Sequence, residues 1–142
     1  MRLVLDTATM VAAIRSDAGA SRRLLVSALQ SRFKLLASVP LMIEYQAVMT
    51  RPEHLDASGL SRQEVNELLD TIASVAVPVR LAFLWRPTLR DPDDDTVLEA
   101  AVNGRAEAIV TFNLRDFRGV LPQFGIEILS PGEAWKRLET RI

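Results

Sequence analysis

The chain has 142 residues, 49% of them hydrophobic and 25% charged, with a net charge of −1. A chain of this length buries roughly two-thirds of its unfolded surface, so it needs no disulfide or structural metal to fold. The absence of cysteine excludes disulfide frameworks, thiol nucleophiles and zinc ribbons, and a single histidine argues against a histidine-based metal site. With no signal-peptide pattern and no apolar run near the roughly 20 residues of a membrane span, we expect a cytoplasmic protein without a membrane segment.

Apolar patterning predicts alternating strands and helices through the first half of the chain. Leu3 to Leu5 form an apolar run that is too short for a helix, which indicates a buried strand. Pro40 suits the first turn of a helix, and Ser61 with Glu64 forms a capping box. The predicted elements of this half are a strand at 3–5, helices at 8–16 and 20–32, a strand at 33–37, helices at 40–49 and from 61, and a short strand at 77–81.

The same alternation continues in the second half. It predicts a helix at 91–105, strands at 108–112 and 126–129, and a closing helix that begins at Ser130. Five strands separated by helices favour a parallel sheet with helices on both faces. We therefore expect one α/β domain over residues 1–142, with a five-stranded parallel sheet.

Acidic and polar residues follow two of the predicted strands. Asp6 comes directly after the first strand, and the segment from Thr111 to Asp116 follows the fourth. In an open parallel sheet the functional crevice lies outside the carboxyl ends of the strands. Asp6 could equally cap the next helix, and Asn113 suits an ordinary polar loop.

Two helices carry further acids. Glu44 shares an apolar stripe with Tyr45, where a carboxylate must be paired, hydrated or bound to a metal; the alternative is that it reaches solvent or Arg51. The run from Asp91 to Asp95 suits the start of a helix, with Asp91 as the cap. Asp94 precedes Ala101 by two helical turns and should share its face, whereas Asp95 should be solvated.

Taken together, these segments resemble a known family. The chain is similar to the PIN domain (the PilT N-terminal type), and specifically to the VapC-like toxins of type II toxin–antitoxin pairs. The resemblance spans nearly the whole chain, and four matching segments occur in the family's order. These segments are Val4–Thr7, Val39–Pro52, Asp91–Ala101 and Ile109–Phe117.

The resemblance implies a three-layer α/β/α fold and a ribonuclease that depends on Mg²⁺ or Mn²⁺. Hard cations of this kind prefer carboxylate oxygens and water, and need neither cysteine nor histidine. The family's motifs place its metal ligands at Asp6, Glu44 and Asp94. The usual fourth acid is replaced by Asn113, which leaves Asp116 as its substitute. Asp95, Asn113 and Thr111 are secondary candidates. A second departure is Ala8, where the family commonly has asparagine.

The resemblance also implies an RNA substrate, an antitoxin partner and a homodimer. The main alternative is a weakened PIN-like domain that binds RNA or protein, which Ala8 and Asn113 favour. A response-regulator receiver would need an aspartate after the third strand, and none is present. A serine–histidine hydrolase would have to use His54, which we expect in a loop, and no Gly-x-Ser-x-Gly or phosphate-binding loop occurs. The apolar segment at Phe83–Trp85 could be an exposed patch, although core packing is the favoured explanation.

Overall fold

The computed structural model describes residues 1–82, 92–117 and 124–141, without the side chains of residues 92–94 and 116. Strands and helices alternate along this part of the chain, as the apolar patterning predicts. In chain order the elements are β1 (Arg2–Leu5), α1 (Thr7–Arg15), α2 (Ala20–Leu29), β2 (Lys34–Ala37), α3 (Val39–Met49), α4 (Pro52–Ser58), α5 (Arg62–Val75), β3 (Val77–Pro78), α6 (Pro92–Gly104), β4 (Ala108–Val110), α7 (Leu114–Phe117), β5 (Glu127–Leu129) and α8 (Pro131–Arg141).

The strands form one five-stranded sheet in the order β3-β2-β1-β4-β5, and all pairings are parallel. β1 is central, and Leu3 pairs with Leu35 of β2 on one side and with Ala108 of β4 on the other. Leu3, Val4 and Leu5 are all fully buried. A strand covered on both faces reads as a continuous apolar run, which is why this segment was recognisable in the sequence. The predicted parallel sheet is confirmed.

The strand order also explains the three layers. The chain moves from β1 to β2 and β3 in one direction across the sheet, and α6 then carries it back past β1 to β4. Because parallel crossovers are right-handed, a reversal of direction puts the later helix on the opposite face. α1 packs against α2 and α3, whereas α6 lies against β1, β2 and β4 and also contacts α3. The direction reverses beside β1, so the crevice of this fold lies at the carboxyl ends of β1 and β4.

Helix starts are set locally by capping side chains. The Ser38 hydroxyl accepts a hydrogen bond of 3.2 Å from the backbone N–H of Leu41 at the start of α3. Ser61 and Glu64 form the predicted reciprocal capping box of α5, and Ser130 and Glu133 form another at the start of α8. Each box satisfies two backbone donors that a helix terminus would otherwise leave without a partner.

Three predicted elements differ from the structure. His54 is not in a loop, because Pro52 both follows the end of α3 and occupies the first turn of α4, which ends at Gly59 with a left-handed φ of 76°. β3 is only two residues long, since Pro78 offers no backbone donor to a ladder. The loop expected after β4 contains the short helix α7, which is anchored by the fully buried Phe117.

Some predictions lie outside the described residues. These are the Asp91 cap, the apolar segment at 83–85, and the side-chain positions of Asp94 and Asp116. In the part of the chain that the structure describes, no helix has both the length and the apolar character needed to cross a membrane.

Candidate active site

Asp6 lies at the carboxyl end of β1, where its side chain is only 3% exposed. Its Oδ1 accepts hydrogen bonds from the backbone N–H of Thr9 at 2.8 Å and from the Thr9 hydroxyl at 2.6 Å. Its Oδ2 accepts from the Thr111 hydroxyl at 2.5 Å. Asp6 is therefore the N-cap of α1, which confirms that interpretation, and it is also a buried acid at the crevice. Its role as a metal ligand stays a prediction.

The electrostatics of Asp6 are dominated by burial. Burial raises the pKa of this carboxyl above its ordinary value of 3.8, and the hydrogen bonds from Thr111 and Thr9 offset only part of that rise. These donors are neutral hydroxyl and amide groups, which stabilise an anion less than a cation does. A positive charge at this point would therefore be strongly favourable.

Glu44 approaches the same place from α3. The buried side of this helix is formed by Leu41, Tyr45 and Met49, and Glu44 is half-buried at the edge of that stripe. Its Oε2 accepts a hydrogen bond from the hydroxyl of Thr7, the first residue of α1. One partner of Glu44 is therefore a hydroxyl on the residue next to Asp6.

A cavity of about 280 Å³ joins these residues. Asp6, Glu44 and Asn113 all line it, so the structure brings together candidates from β1, α3 and the segment after β4. Arg51 and His54 also line it, so a guanidinium and an imidazole border the cavity together with its two carboxylates. The remaining lining residues are Thr7, Ala8, Val11, Val48 and Val97.

His54 is the lining residue that the sequence analysis missed. The signal was present, because Pro52 at a helix start and Gly59 at a helix end delimit α4. The Nδ1 of His54 lies 3.4 Å from the Arg15 Nη1. A guanidinium can only donate, so Nδ1 is the acceptor in this contact.

The other predicted site residues have varied positions. Thr111 is fully buried and acts through Asp6, while Asp95 is half-buried on α6. The side chains of Asp94 and Asp116 are not described. Among the side chains that are described, no group of three or more histidine, cysteine, aspartate or glutamate residues could hold a metal ion.

The chemistry of the described donors nevertheless suits a hard dication. Asp6 and Glu44 supply carboxylate oxygens and Asn113 an amide oxygen, and the chain has no cysteine thiolate that would favour a softer metal. Mg²⁺ retains several waters in proteins and is commonly held by only one or two carboxylates. The residues present therefore fit a partly hydrated Mg²⁺ or Mn²⁺ ion.

A second, larger cavity has a different character. It measures about 460 Å³ and is lined mainly by apolar side chains of α3 and α5, together with Pro78 and Val79. The exposed Val39 and Ile43 lie along it, and among the described lining residues Asp70 is the one acid. This composition does not suit phosphodiester chemistry, so the smaller cavity at the strand ends is the candidate active site.

Comparison with known proteins agrees with this fold. The PIN domain family matches residues 2–115, and the chain therefore belongs to that family, whose members are generally nucleases. Its fold is similar to that of a chain in the crystal structure of VapBC2 from Rickettsia felis bound to a DNA fragment from their promoter. The TM-score is 0.61 at 16% sequence identity, over 92% of this chain and 100% of that chain. No curated protein matches the sequence.

Proposed function

We propose that this protein is a metal-dependent endoribonuclease and the toxin of a toxin–antitoxin pair. The observation that carries the proposal is the meeting of Asp6 and Glu44 in one cavity at the switch point of the sheet. Two carboxylates from separate elements repel each other, and the role of Asp6 as the N-cap of α1 does not require Glu44 to line the same cavity. A bound dication would offset that repulsion.

The metal ligands in this proposal are Asp6, Glu44, Asp94 and Asp116, acting directly or through water. Asp94 lies one helical turn before Val97 on α6, and Val97 lines the cavity, which supports its inclusion. When bound, the ion polarises a phosphate oxygen and activates a water as the nucleophile.

The secondary candidates have supporting roles in the same proposal. Thr111 orients the Asp6 carboxylate through its hydroxyl, and Asn113 offers an amide oxygen at the cavity. Asp95 shares α6 with Asp94 and is the alternative ligand from that helix.

Two further residues of the cavity suit an RNA substrate. Arg51 and His54 line the same cavity as the carboxylates, and a guanidinium binds phosphate oxygens through two parallel donors. Their proposed role is to bind RNA, while the carboxylates hold the ion.

The proposed partners follow from family membership and from the VapBC2 similarity. We expect a cognate antitoxin to bind the chain and to lower its RNase activity, and we expect a cytoplasmic homodimer. Purified complex that cleaves RNA as fast as the free protein would contradict the antitoxin assignment.

RNA cleavage with matched variants tests the proposal. Total bacterial RNA is incubated with the purified protein and Mg²⁺ or Mn²⁺, with EDTA as the metal-free control. We expect cleavage that EDTA abolishes and that Asp6→Asn, Glu44→Gln and Asp94→Asn each lower by at least 100-fold, as expected for direct metal ligands. The control is Asp17→Asn, because Asp17 is an exposed aspartate outside the cavity. Cleavage that persists in EDTA would refute metal dependence.

The alternative function is RNA or protein binding without cleavage. Ala8 and Asn113, the two departures from the family's pattern, both line the cavity. Intact RNA with retained RNA binding would favour this alternative. Asn113→Asp distinguishes the two cases further, since a restored carboxylate should increase cleavage if the weakness lies in metal binding. Asp116→Asn should lower the remaining activity if Asp116 is the substitute ligand.

A further inference from the structure

Tyr45 connects the two elements that carry the candidate metal ligands. It is the single tyrosine of the chain, it is fully buried, and its hydroxyl donates a hydrogen bond of 2.5 Å to the backbone carbonyl of Leu5. Leu5 is the last residue of β1 and directly precedes Asp6, while Tyr45 directly follows Glu44. One hydrogen bond thus joins the chain neighbours of both carboxylates.

The position of this bond determines how closely the carboxylates approach. α3 begins after β2 and β1 is the central strand, so no local backbone geometry fixes the distance from Glu44 to Asp6. The hydrogen bond between the buried Tyr45 phenol and the Leu5 carbonyl fixes the position of α3 relative to the end of β1. The hydrogen bond from Thr7 to Glu44 then orients the Glu44 side chain on a helix already in place.

The Tyr45 hydroxyl is the donor in this hydrogen bond, because a backbone carbonyl can only accept. Its full burial excludes the water that would otherwise compete for the Leu5 carbonyl.

We propose that Tyr45 is a positioning residue, whose hydrogen bond to the Leu5 carbonyl holds Glu44 and Asp6 at the separation that binds a divalent cation. The inference rests on the proposed function, because it concerns the same site. Partners beyond the first ligands commonly affect metal affinity by 10–100-fold when they are removed. The neutral donor acts on backbone rather than on a ligand atom, so we expect the lower end of that range.

Direct Mn²⁺ binding to Tyr45→Phe is the test. Phenylalanine keeps the ring that fills the core and removes only the hydroxyl. Electron paramagnetic resonance of free Mn²⁺ gives the dissociation constant without any need for catalysis. We expect Tyr45→Phe to raise that constant about tenfold, and RNA cleavage to need correspondingly more Mn²⁺ while reaching the same saturating rate.

Ile72→Val is the matched control. Ile72 is fully buried on α5 and lies outside the candidate site, so this variant lowers the urea midpoint without changing the link between Asp6 and Glu44. If the role of Tyr45 were purely structural, Tyr45→Phe and Ile72→Val would bind Mn²⁺ with equal affinity when their free energies of unfolding are equal. Our inference predicts weaker binding in Tyr45→Phe alone.

The single tyrosine also permits a measurement without any core substitution. Biosynthetic 3-fluorotyrosine labels only position 45, and bound Mn²⁺ should broaden its fluorine resonance at the concentration that saturates binding. Asp6→Asn should remove the broadening. Wild-type protein that binds no Mn²⁺ would overturn the proposed function and this inference together. Mn²⁺ binding that leaves the fluorine signal sharp would mean that the ion binds away from Asp6 and Glu44, and would also overturn both. Mn²⁺ binding that broadens the signal but is equally tight in wild type and Tyr45→Phe would overturn the inference alone.

Discussion

Asp6→Asn should make the metal-free protein more stable at neutral pH, although it removes a proposed ligand. The Asp6 side chain is 3% exposed, and its burial raises its pKa above 3.8 despite three hydrogen bonds. Asparagine caps helices as well as aspartate does and keeps an oxygen for the Thr9 N–H. The substitution therefore removes the buried charge and leaves the cap in place.

The sign and size of the effect follow from proton linkage. Because the folded pKa lies above the unfolded value, the native state holds the proton more tightly, and stability falls as the pH rises through the interval between the two pKa values. Within that interval the wild type loses about 1.4 kcal/mol per pH unit relative to the variant. The difference is absent below the unfolded pKa and constant above the folded pKa.

Urea unfolding followed by far-UV circular dichroism in EDTA measures this difference between about pH 4 and pH 8. Thr111→Val is a control that should change stability in the opposite direction. It removes a hydrogen bond to the charged carboxylate, so it should lower the free energy of unfolding by about 1.5–3 kcal/mol at neutral pH. At tenfold excess over its dissociation constant, Mg²⁺ should stabilise the wild type by about 1.4 kcal/mol and leave Asp6→Asn unchanged. An Asp6→Asn variant that is less stable than wild type at pH 7, or a difference that does not vary with pH, would refute the reasoning.

Three further predictions concern the rest of the fold, each checked by urea unfolding. Ser61→Ala removes the capping box of α5 and should lower the free energy of unfolding by about 1 kcal/mol. Gly104→Ala places a Cβ 2.8 Å from the Val79 Cγ2 and should cost about 1–3 kcal/mol, whereas unchanged stability would show that the valine moves freely. The hydrogen bond from Arg141 lowers the pKa of Glu107 below its ordinary value of 4.5. The free energy that this interaction adds to folding is therefore present at neutral pH and is lost as the pH falls through the interval below 4.5. The stability of Arg141→Gln should differ most from that of the wild type at neutral pH and should converge with it in acid.

Sequence alone predicted the elements whose causes are local. The caps at Ser61 and Ser130 act within one helical turn, so their residues mark helix starts without knowledge of the fold. The continuous apolar run of β1 signals burial on both faces. His54 was misplaced because Pro52 was interpreted only as the end of one helix, although it also begins the next.

The acids of the site were identifiable for a related reason. Asp6 follows a buried strand and Glu44 interrupts an apolar stripe, and both features are visible along the chain. The roles assigned to them, and to Asp94 and Asp116, remain predictions. Family resemblance supplied their grouping, since no local rule connects an acid on β1 with one on α3.

Only the tertiary structure decided which residues meet. The strand order β3-β2-β1-β4-β5 cannot be derived from the sequence, because the apolar patterns of the strands resemble one another. This order nevertheless brings Thr111 into contact with Asp6 and Tyr45 into contact with Leu5. These contacts join residues far apart in the chain, and their free energies depend on burial that exists only after folding. Composition and periodicity therefore determine the helices and strands of this protein. The position of α3 relative to the end of β1, which only the folded chain defines, determines how close the carboxylates of Asp6 and Glu44 lie.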